Sequence, residues 1–430
     1  MKSAGIYGLI GRTLSHSDSV PIHAGFGRSD YRLFEVEPDG IEAFLNTPGL
    51  AGLNVTIPYK RAVIPYLTEL TPEARRVGGV NTILFLPDGR RVGCNTDVAG
   101  FAYMVRRLGA DVRGEKALVF GSGGAGMAAK VALEDMGARV TVISRTGADN
   151  YQNLSRHADA AILVNATPVG MYPHPDGAAA DPGMFPRAKA AFDMVYNPLR
   201  TDFLRLAERA GIPCVGGLGM LAAQARRAEE LFSGTTIPEI ETERVRLCLA
   251  REKLSVALVG MPGSGKSVIG AALGALTGRP VWDTDAMIER DAGRSAGEII
   301  LAEGLPAFRE RERRAVREAS LLRGAIIVTG GGAVLREENR IDLRRNARVY
   351  RIRRDIASLP RSGRPLSQTA DLAEMAKERE PFYRAASDAE ILNDQTVESA
   401  ARRIWAEFMD FSGGERRANR PIESLRGELS

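Results

Sequence analysis

The loop GMPGSGKS, residues 260–267, decides the fold of the C-terminal half of this sequence. It follows the strand-like LSVALV, precedes the helix-like VIGAALGALTG, and satisfies the pattern GxxxxGK[ST]. In such a loop the backbone N–H groups surround phosphates, Lys266 reaches the β- and γ-phosphate oxygens, and Ser267 ligates Mg²⁺. We therefore expect a parallel α/β domain that binds ATP and Mg²⁺. The predicted ATP-binding residues are Gly263, Ser264, Gly265, Lys266 and Ser267.

A second glycine-rich loop, GSGGAG at residues 121–126, lies between the strand-like KALVF and the helix-like MAAKVALEDMG. It fits GxGxxG, whose glycines let the backbone approach a pyrophosphate at a helix N-terminus. The next strand-like segment, RVTVIS, leads into Arg145 rather than a carboxylate, and arginine suits a 2′-phosphate, so NADP(H) is favoured. An ordinary strand–helix turn and a solvated Arg145 are the alternatives. The predicted coenzyme-binding residues are Gly121, Ser122, Gly123, Gly124, Ala125, Ser144, Arg145, Thr146 and Gly219.

Composition narrows the functional class. The 430 residues suit two or three domains, no run of eighteen apolar residues predicts a membrane span, and the N-terminus lacks the apolar stretch of a signal peptide. Three scattered cysteines predict a reduced, cytoplasmic location, and a net charge of +5 does not require nucleic acid. Only eight of the 58 basic residues are lysines, so Lys60 and Lys266, both inside motif-like stretches, invite a specific role.

Alternating apolar runs and helix-like stretches predict βαβ units with largely parallel sheets. We expect an N-terminal pair of α/β lobes, the second a Rossmann lobe, followed by a P-loop domain of the nucleoside-monophosphate-kinase type. The predicted divisions are a substrate-binding lobe at 1–103 completed by helices at about 213–235, a Rossmann lobe at 104–212, a linker at 236–253, a P-loop domain at 254–411, and a disordered tail at 412–430.

Small polar residues mark several strand ends of the N-terminal lobe, in HSDS (16–19), GLNVTIPYK (52–60), GGVNTI (78–83) and GCNTDVAGF (93–101). A polyhydroxylated substrate needs many such short hydrogen-bonding groups. Hydride transfer to a carbonyl also needs a proton donor for the carbonyl oxygen, and Lys60 with Asp97 is the available acid/base pair. From the pattern alone, both residues also fit ordinary surface charges.

Together with NATPVGM (165–171), DMVYNPLRT (193–201) and GLGMLAAQA (217–225), these stretches resemble shikimate dehydrogenase over residues 5 to about 232. The resemblance implies that Lys60 and Asp97 form the catalytic pair. Val20 and Val98 stand where the family usually has Pro and Gly, so the carboxylate end of the pocket is expected to differ. The resemblance further implies the substrate-binding residues Ser17, Ser19, Thr56, Asn81, Tyr196 and Gln224.

The P-loop half contains WDTDAMIE (282–289), FRERE (308–312), TGGG (329–332), GRPL (363–366) and REPFYR (379–384). Paired carboxylates suit Mg²⁺ binding and hydroxyl activation, whereas each arginine alone fits a surface charge. In this order the motifs resemble shikimate kinase over residues 254 to about 405. The resemblance implies that Asp285 faces the acceptor hydroxyl and Asp283 the metal. It further implies substrate contacts by Arg309, Gly330, Gly331, Gly332 and Arg379, with Lys266 and the lid arginine Arg364 as catalytic residues.

The two resemblances imply a bifunctional enzyme that reduces 3-dehydroshikimate with NADPH and phosphorylates shikimate with MgATP. One alternative is a first half that acts on quinate or a related cyclohexene or cyclohexane acid. Another is an inactive metabolite-sensing regulator, which the intact Lys60, Asp97, Lys266, Ser267 and Asp285 disfavour. The expected partners are small molecules, with no nucleic acid and no membrane, and the sequence is compatible with a homodimer.

Overall fold

A computed structural model describes residues 5–15, 17–355 and 372–411, which form two compact units. The first unit contains the described residues up to Tyr196, together with Thr201–Leu249. The second contains Asn197–Arg200 and the described residues from Ala250 onward. The short segment Asn197–Arg200 therefore leaves the lobe in which the sequence had placed it. Arg364 and the predicted disordered tail lie outside the described residues.

The first lobe of the first unit is built on a six-stranded sheet in the order β2-β1-β3-β5-β6-β4. Its strands are Ile6–Gly11 (β1), Arg32–Glu35 (β2), Leu50–Val55 (β3), Glu69–Leu70 (β4), Thr82–Phe85 (β5) and Arg91–Cys94 (β6). Its helices are Ser19–Gly25 (α1), Ile41–Leu45 (α2), Pro72–Val77 (α3) and Asp97–Leu108 (α4), with 3₁₀ turns at Pro38–Gly40 and Ile64–Tyr66.

Strand β5 departs from the parallel pairing that the sequence predicted, because it runs antiparallel to both β3 and β6. The connection from β5 to β6 is a tight turn closed by a hydrogen bond from the Leu86 N–H to the Arg90 carbonyl. So short a connection can join only antiparallel neighbours. Helix α4 begins directly after β6 and runs through the predicted lobe boundary at residue 103.

The second lobe is a five-stranded sheet in the order β8-β7-β9-β10-β11, with every neighbouring pair parallel. The strand order reverses at β7, and ligands bind at the carboxyl ends of strands at such a point. Its strands are Lys116–Phe120 (β7), Arg139–Ile143 (β8), Ile162–Asn165 (β9), Ala190–Asp193 (β10) and Cys214–Val215 (β11). Its helices are Gly124–Asp135 (α5) and Asp202–Arg209 (α6), with 3₁₀ turns at Leu154–His157 and Pro182–Met184.

Two further helices follow, Leu218–Ser233 (α7) and Glu239–Lys253 (α8). Helix α7 returns to the first lobe and packs against α4 and α1. The segment predicted as a linker, 236–253, is thus largely helical. Helix α8 buries Val245, and its Glu243 accepts a hydrogen bond from the Tyr103 hydroxyl, so it packs onto the first unit.

The second unit contains a wholly parallel five-stranded sheet in the order β13-β14-β12-β15-β16. Its strands are Ser255–Val259 (β12), Val281–Asp283 (β13), Ile326–Val328 (β14), Ala347–Arg353 (β15) and Ala389–Leu392 (β16). The helices described here are Lys266–Thr277 (α9), Thr284–Ala292 (α10), Ala296–Ser320 (α11), Glu337–Asn346 (α12), Leu372–Ala386 (α13) and Val397–Asp410 (α14), with a 3₁₀ turn at Ala333–Leu335. Across the described ranges, no helix has the length and apolar character needed to cross a membrane.

Candidate active sites

A cavity of about 390 Å³ in the first unit brings together the residues predicted for substrate binding and proton transfer. They come from the start of α1, from segments next to β3, β5 and β10, from the start of α4 and from α7, which are far apart in the sequence. The sequence-predicted residues that line this cavity are Ser17, Ser19, Thr56, Lys60, Asn81, Asp97, Tyr196 and Gln224.

Lys60 and Asp97 form a direct ion pair in this cavity. The Lys60 Nζ lies 2.6 Å from the Asp97 Oδ2, and both side chains are partly buried. Asp97 is the first residue of α4, where the helix dipole favours a negative charge. Because an ammonium group has three N–H donors, Lys60 keeps donors for a ligand after pairing with Asp97.

Asn81 fixes the other oxygen of the same carboxylate. Its Nδ2 donates to the Asp97 Oδ1 at 2.9 Å, and its Oδ1 accepts from the Thr96 backbone N–H at 2.7 Å. The Asp97 backbone N–H in turn donates to the Asn95 Oδ1. Each Asp97 oxygen therefore has its own donor, which sets the orientation of the carboxylate and of the lysine paired with it.

The serines and the glutamine reach the cavity from two helices. The Ser17 hydroxyl donates to the Ser19 hydroxyl at 3.1 Å, at the start of α1. Gln224, on α7, accepts from the Thr96 hydroxyl through its Oε1 and donates to the Leu221 carbonyl. The serine hydroxyls and the Gln224 amide therefore have defined positions. The distance between them in the cavity depends on the separation of α1 from α7.

Sequence reasoning left several polar residues that line the cavity unassigned, among them His23 and Asn54. Asn54 lies on β3, two positions before Thr56, which directly follows the strand, and both side chains line the cavity. His23 follows Ser19 by one helical turn on α1. These spacings were available in the sequence. Val20 and Val98 are not among the described residues that line the cavity, and Val98 packs into the hydrophobic core.

The upstream glycine loop leaves open space at the N-terminus of α5. Gly121 adopts φ +110°, and a Cβ at Gly126 would overlap the Gly121 carbonyl oxygen. In contrast, a Cβ at Gly123 or Gly124 would have no atom within 4 Å, and no side chain caps the helix. The uncapped N–H groups and this free space fit a pyrophosphate.

Ser144 begins the segment after β8, where a coenzyme ribose would lie. Its hydroxyl accepts from the Gly147 N–H at 2.9 Å, and its own N–H donates to the Asp149 carbonyl. Arg145 and Thr146 belong to this turn. Gly219, also predicted to bind the coenzyme, packs against the Tyr103 ring and is not among the described residues that line the cavity. Its neighbour Gly217 does line the cavity.

In the second unit, the downstream glycine loop surrounds the ammonium group of Lys266. The buried Lys266 Nζ donates to the carbonyls of Gly260 at 2.9 Å and Met261 at 3.0 Å. Gly265 adopts φ +98° immediately before α9, whose N-terminus has no side-chain cap. Ser264 lies in the same loop, where the Asn393 Nδ2 donates to its carbonyl at 2.8 Å. Lys266 is thus held by two loop carbonyls, while the uncapped N–H groups at the start of α9 are the backbone donors suited to phosphate oxygens.

Beside this loop lies a second cavity, of about 420 Å³. Gly265 and Val268 line it from α9 and the loop before it, and Arg353 and Asn393 line it from the ends of β15 and β16. Its size and its position next to the phosphate loop suit the nucleoside part of a nucleotide.

Asp283 links the phosphate loop to α10. Its Oδ2 accepts from the Ser267 hydroxyl at 3.0 Å, and its Oδ1 caps α10 by accepting from the Asp285 N–H at 3.0 Å. Hydroxyl and carboxylate oxygens are suitable ligands for Mg²⁺. The structure therefore brings Ser267 and Asp283, the residues predicted to bind the metal, into direct contact.

Asp285 has an unusual environment for a carboxylate. Burial is the main factor that raises its pKa to about 6, and the negative charges of Asp283 and Glu312 act in the same direction. The positive charge of Lys266 lowers the pKa of Asp285 and so acts against these effects. The Asp285 Oδ1 is buried and has no hydrogen-bond partner among the described residues. Such a carboxylate is suited to accept a proton near neutral pH.

Arg309 pairs with Glu312, whose role sequence reasoning did not assign. The Arg309 Nη1 donates to the Glu312 Oε2 at 2.6 Å, and burial raises the pKa of Glu312 while Arg309 lowers it. The arginine and the glutamate are three positions apart on α11, a spacing that brings helical side chains together and could have revealed the pair.

The TGGG turn packs tightly against these charged groups. A Cβ at Gly330 would lie 2.6 Å from the Asp285 Oδ1, and a Cβ at Gly332 would overlap the Arg309 guanidinium. The Gly331 carbonyl accepts from the Arg379 Nη1 at 3.2 Å. The structure therefore brings the predicted acceptor-side residues of this half together, whereas the predicted lid arginine, Arg364, lies outside the described ranges.

Comparison with known proteins assigns both halves. Residues 9–83 match the family model "Shikimate dehydrogenase substrate binding domain". "Shikimate dehydrogenase (NADP(+))" of Clostridium perfringens (strain SM101 / Type A) is 36% identical over 262 residues, which cover 56% of this chain and 96% of that protein. The chain belongs to the shikimate dehydrogenase family. Residues 262–409 match the family model "Shikimate kinase", so the chain also carries a shikimate kinase domain.

Solved structures of the dehydrogenase family agree with this assignment. The chorismate mutase/shikimate 5-dehydrogenase fusion protein of Clostridium acetobutylicum is 35% identical with a TM-score of 0.55, covering 57% of this chain and 97% of that one. Shikimate 5-dehydrogenase of Thermus thermophilus, solved with NADP(H) and shikimate, is 33% identical with a TM-score of 0.50, covering 56% and 98%. The predicted fold class, a Rossmann-like dehydrogenase followed by a P-loop domain, is confirmed.

Proposed function

We propose that this chain is a bifunctional enzyme that reduces 3-dehydroshikimate to shikimate with NADPH and then phosphorylates the shikimate 3-hydroxyl with MgATP. One observation carries the proposal: the Lys60–Asp97 pair, 2.6 Å apart, lies in a cavity lined by the polar residues predicted for the ring acid. The same chain supplies a phosphate loop next to a raised-pKa carboxylate, Asp285.

In the dehydrogenase half, NADPH supplies the hydride when it is bound. Lys60 donates a proton to the carbonyl oxygen as the carbonyl carbon is reduced, so that the oxygen becomes a hydroxyl. Asp97 holds the Lys60 ammonium in place through the direct ion pair. Ser17 and Ser19 are proposed to bind the substrate carboxylate. The ring hydroxyls would be bound by Thr56, Asn81 and Gln224, with Tyr196 along the ring.

The coenzyme would lie across the second lobe. The uncapped N-terminus of α5 would hold its pyrophosphate, where Gly123 and Gly124 leave room. Arg145 is proposed to pair with the 2′-phosphate, a contact that NADH lacks. The chemistry of this donor set therefore fits NADP(H).

In the kinase half, MgATP supplies the phosphoryl group when it is bound. Asp285 accepts the proton of the attacking hydroxyl, which its raised pKa allows. Lys266 exchanges its contacts with loop carbonyls for phosphate oxygens, and Ser267 with Asp283 would hold Mg²⁺. Arg309 and Arg379 would bind the carboxylate of shikimate, and Arg364 would act from the lid.

Purified protein supplied with 3-dehydroshikimate, NADPH and ATP tests both activities at once. NADPH loss and shikimate 3-phosphate are measured separately, and kinase activity is also measured with added shikimate. We expect one shikimate per NADPH consumed and one phosphorylated product per ATP. The reverse reaction is also measured with NADP⁺ and either shikimate or quinate. Much faster oxidation of quinate than of shikimate would support the alternative acid and refute our assignment of the first half. The cytoplasmic location and the homodimer stay predictions.

A further inference from the structure

A buried cluster of charged groups lies behind the substrate cavity and has no part in the mechanism above. The His23 Nδ1 lies 2.6 Å from the Glu229 Oε1, and the Arg28 Nε lies 2.8 Å from both oxygens of the same carboxylate. The His23 and Glu229 side chains are only 2% and 4% exposed. Ionisable side chains are rarely buried this deeply unless they are paired.

The contacts of the cluster define the direction of its hydrogen bonds. The Arg28 guanidinium lies 3.6 Å from the centroid of the Tyr7 ring and donates to the Glu229 carboxylate. Burial lowers the pKa of His23, so the imidazole is neutral at neutral pH. His23 therefore donates from Nδ1 to Glu229, in a charge-assisted hydrogen bond of the stronger kind.

The cluster is connected to the cavity wall. His23 lines the cavity, and its ring stacks on Tyr31 with centroids 3.8 Å apart. The Tyr31 hydroxyl donates to the Asn54 Oδ1 at 2.7 Å, and the Asn54 Nδ2 donates to the Thr82 hydroxyl at 3.0 Å. The amide of Asn54, also in the cavity wall, is thus oriented by Thr82 on one side and, on the other, by Tyr31, whose ring stacks on His23.

The cluster also joins the two helices that bring polar groups into the cavity. His23 lies one turn after Ser19 on α1, and Glu229 lies on α7, the helix that carries Gln224. The Glu229–His23 bond therefore holds α1 against α7 at a fixed distance. The position of Ser19 relative to Gln224 depends on this distance.

We infer that Glu229 is a positioning residue of the dehydrogenase site, which sets the spacing of the α1 and α7 walls and thereby the affinity for the ring acid. This inference rests on the proposed function of the first half. It predicts an effect on the binding of the acid, since Glu229 touches neither Lys60 nor the coenzyme loop in the contacts that the described residues make.

The test compares Glu229→Gln with Glu230→Gln in shikimate oxidation by the full-length protein. Glutamine keeps the shape of the side chain but removes the charge that strengthens the contacts to His23 and Arg28. Glu230 is the matched control: it follows on α7 and pairs with Arg226 at 3.2 Å and Arg227 at 3.0 Å. Its carboxylate also accepts from the Ile237 N–H, away from α1.

For Glu229→Gln we expect the KM for shikimate to rise about tenfold with kcat within about threefold, the size of one weakened charge-assisted hydrogen bond. The KM for NADP⁺ and the kinase kcat of the same chain should stay within about twofold, because neither depends on the cluster. Glu230→Gln should leave both KM values, the dehydrogenase kcat and the kinase kcat unchanged. A purely structural defect would instead lower the active fraction and leave the KM values intact.

An unchanged KM for shikimate in Glu229→Gln would overturn the inference, as would a fall in kcat with KM unchanged. If Glu229→Gln fails to fold, as judged by circular dichroism, Arg28→Lys decides by the same criteria, because it keeps the charge but loses the two-oxygen contact. Wild-type protein that does not oxidise shikimate would refute the proposed function, and the inference with it.

Discussion

Replacing Asp285 by asparagine should abolish kinase activity and yet stabilise the empty kinase unit. Burial and neighbouring carboxylates raise the pKa of Asp285 from 3.8 to about 6. A shift of about 2 units corresponds to about 3 kcal/mol at 1.36 kcal/mol per unit, so the ionised carboxylate destabilises the folded unit by about that amount at pH 7. Asparagine has a similar shape and cannot ionise. We therefore expect Asp285→Asn to raise the free energy of unfolding by up to about 3 kcal/mol.

The sign of the pH dependence is distinctive. The folded pKa lies above the unfolded one, so the folded state holds its proton longer and the wild type loses stability as pH rises between about 4 and 6. The difference between Asp285→Asn and wild type should be close to zero at pH 4 and complete at pH 7. Wild-type kinase kcat/KM for shikimate, which reports the ionisation of the unliganded enzyme, should in turn fall on acidification and reach about half its plateau near pH 6.

Tryptophan fluorescence during urea unfolding measures the difference in stability between Asp285→Asn and wild type, and it reports on the kinase unit only. The chain has two tryptophans, Trp282 and Trp405, and both belong to the kinase unit. Asp291→Asn is the matched control, since Asp291 lies on the same helix, is 59% exposed and pairs with Arg290. If Asp285→Asn were no more stable than wild type at pH 7, or gained equally at pH 4 and pH 7, the assignment of a raised pKa to this carboxylate would be wrong.

Three further substitutions separate the two activities. Lys60→Ala should lower the kcat of shikimate oxidation by about 10²–10⁴-fold, the usual contribution of a general acid. The kinase rate, measured in a coupled ADP assay, should stay unchanged. A dehydrogenase rate within a few fold of wild type would contradict the role of Lys60. Lys266→Ala should do the reverse, removing phosphate contacts that the Nζ is placed to make; surviving phosphorylation would exclude that role. Arg145→Ala should raise the KM for NADPH about tenfold or more and leave that for NADH unchanged, because only NADPH has the 2′-phosphate; equal effects on both would place Arg145 elsewhere.

The sequence was most informative where a short segment determines its own conformation. The phosphate loop needs a left-handed glycine before α9, and Gly265 adopts φ +98° there. The upstream loop likewise has Gly121 at φ +110°. Because these geometries depend on neighbours in the chain, both nucleotide sites could be located without a structure, and the strand-end residues around them followed from the resemblance.

Contacts between distant segments could not be predicted in this way. His23 and Glu229 are separated by 206 positions, and nothing in either local sequence indicates that α1 packs on α7. Helix α8 also looked like a connection because its charged residues are conspicuous. It nevertheless buries Val245 and the whole side chain of Arg246, whose guanidinium pairs with Glu243. Such burial depends on the packing partner and leaves little trace in a polar, charged sequence.

The two proposed catalytic carboxylates show how their surroundings assign different tasks to one side chain. Asp97 has a donor on each oxygen, the Lys60 ammonium and the Asn81 amide, so its orientation is fixed and it in turn orients a proton donor. Asp285 faces the carboxylates of Asp283 and Glu312 instead, with its Oδ1 unpartnered among the described residues. Its negative charge is therefore poorly compensated, and accepting a proton relieves it. A reductase that must protonate an oxygen and a kinase that must deprotonate one thus require opposite environments for aspartate, and this chain provides both.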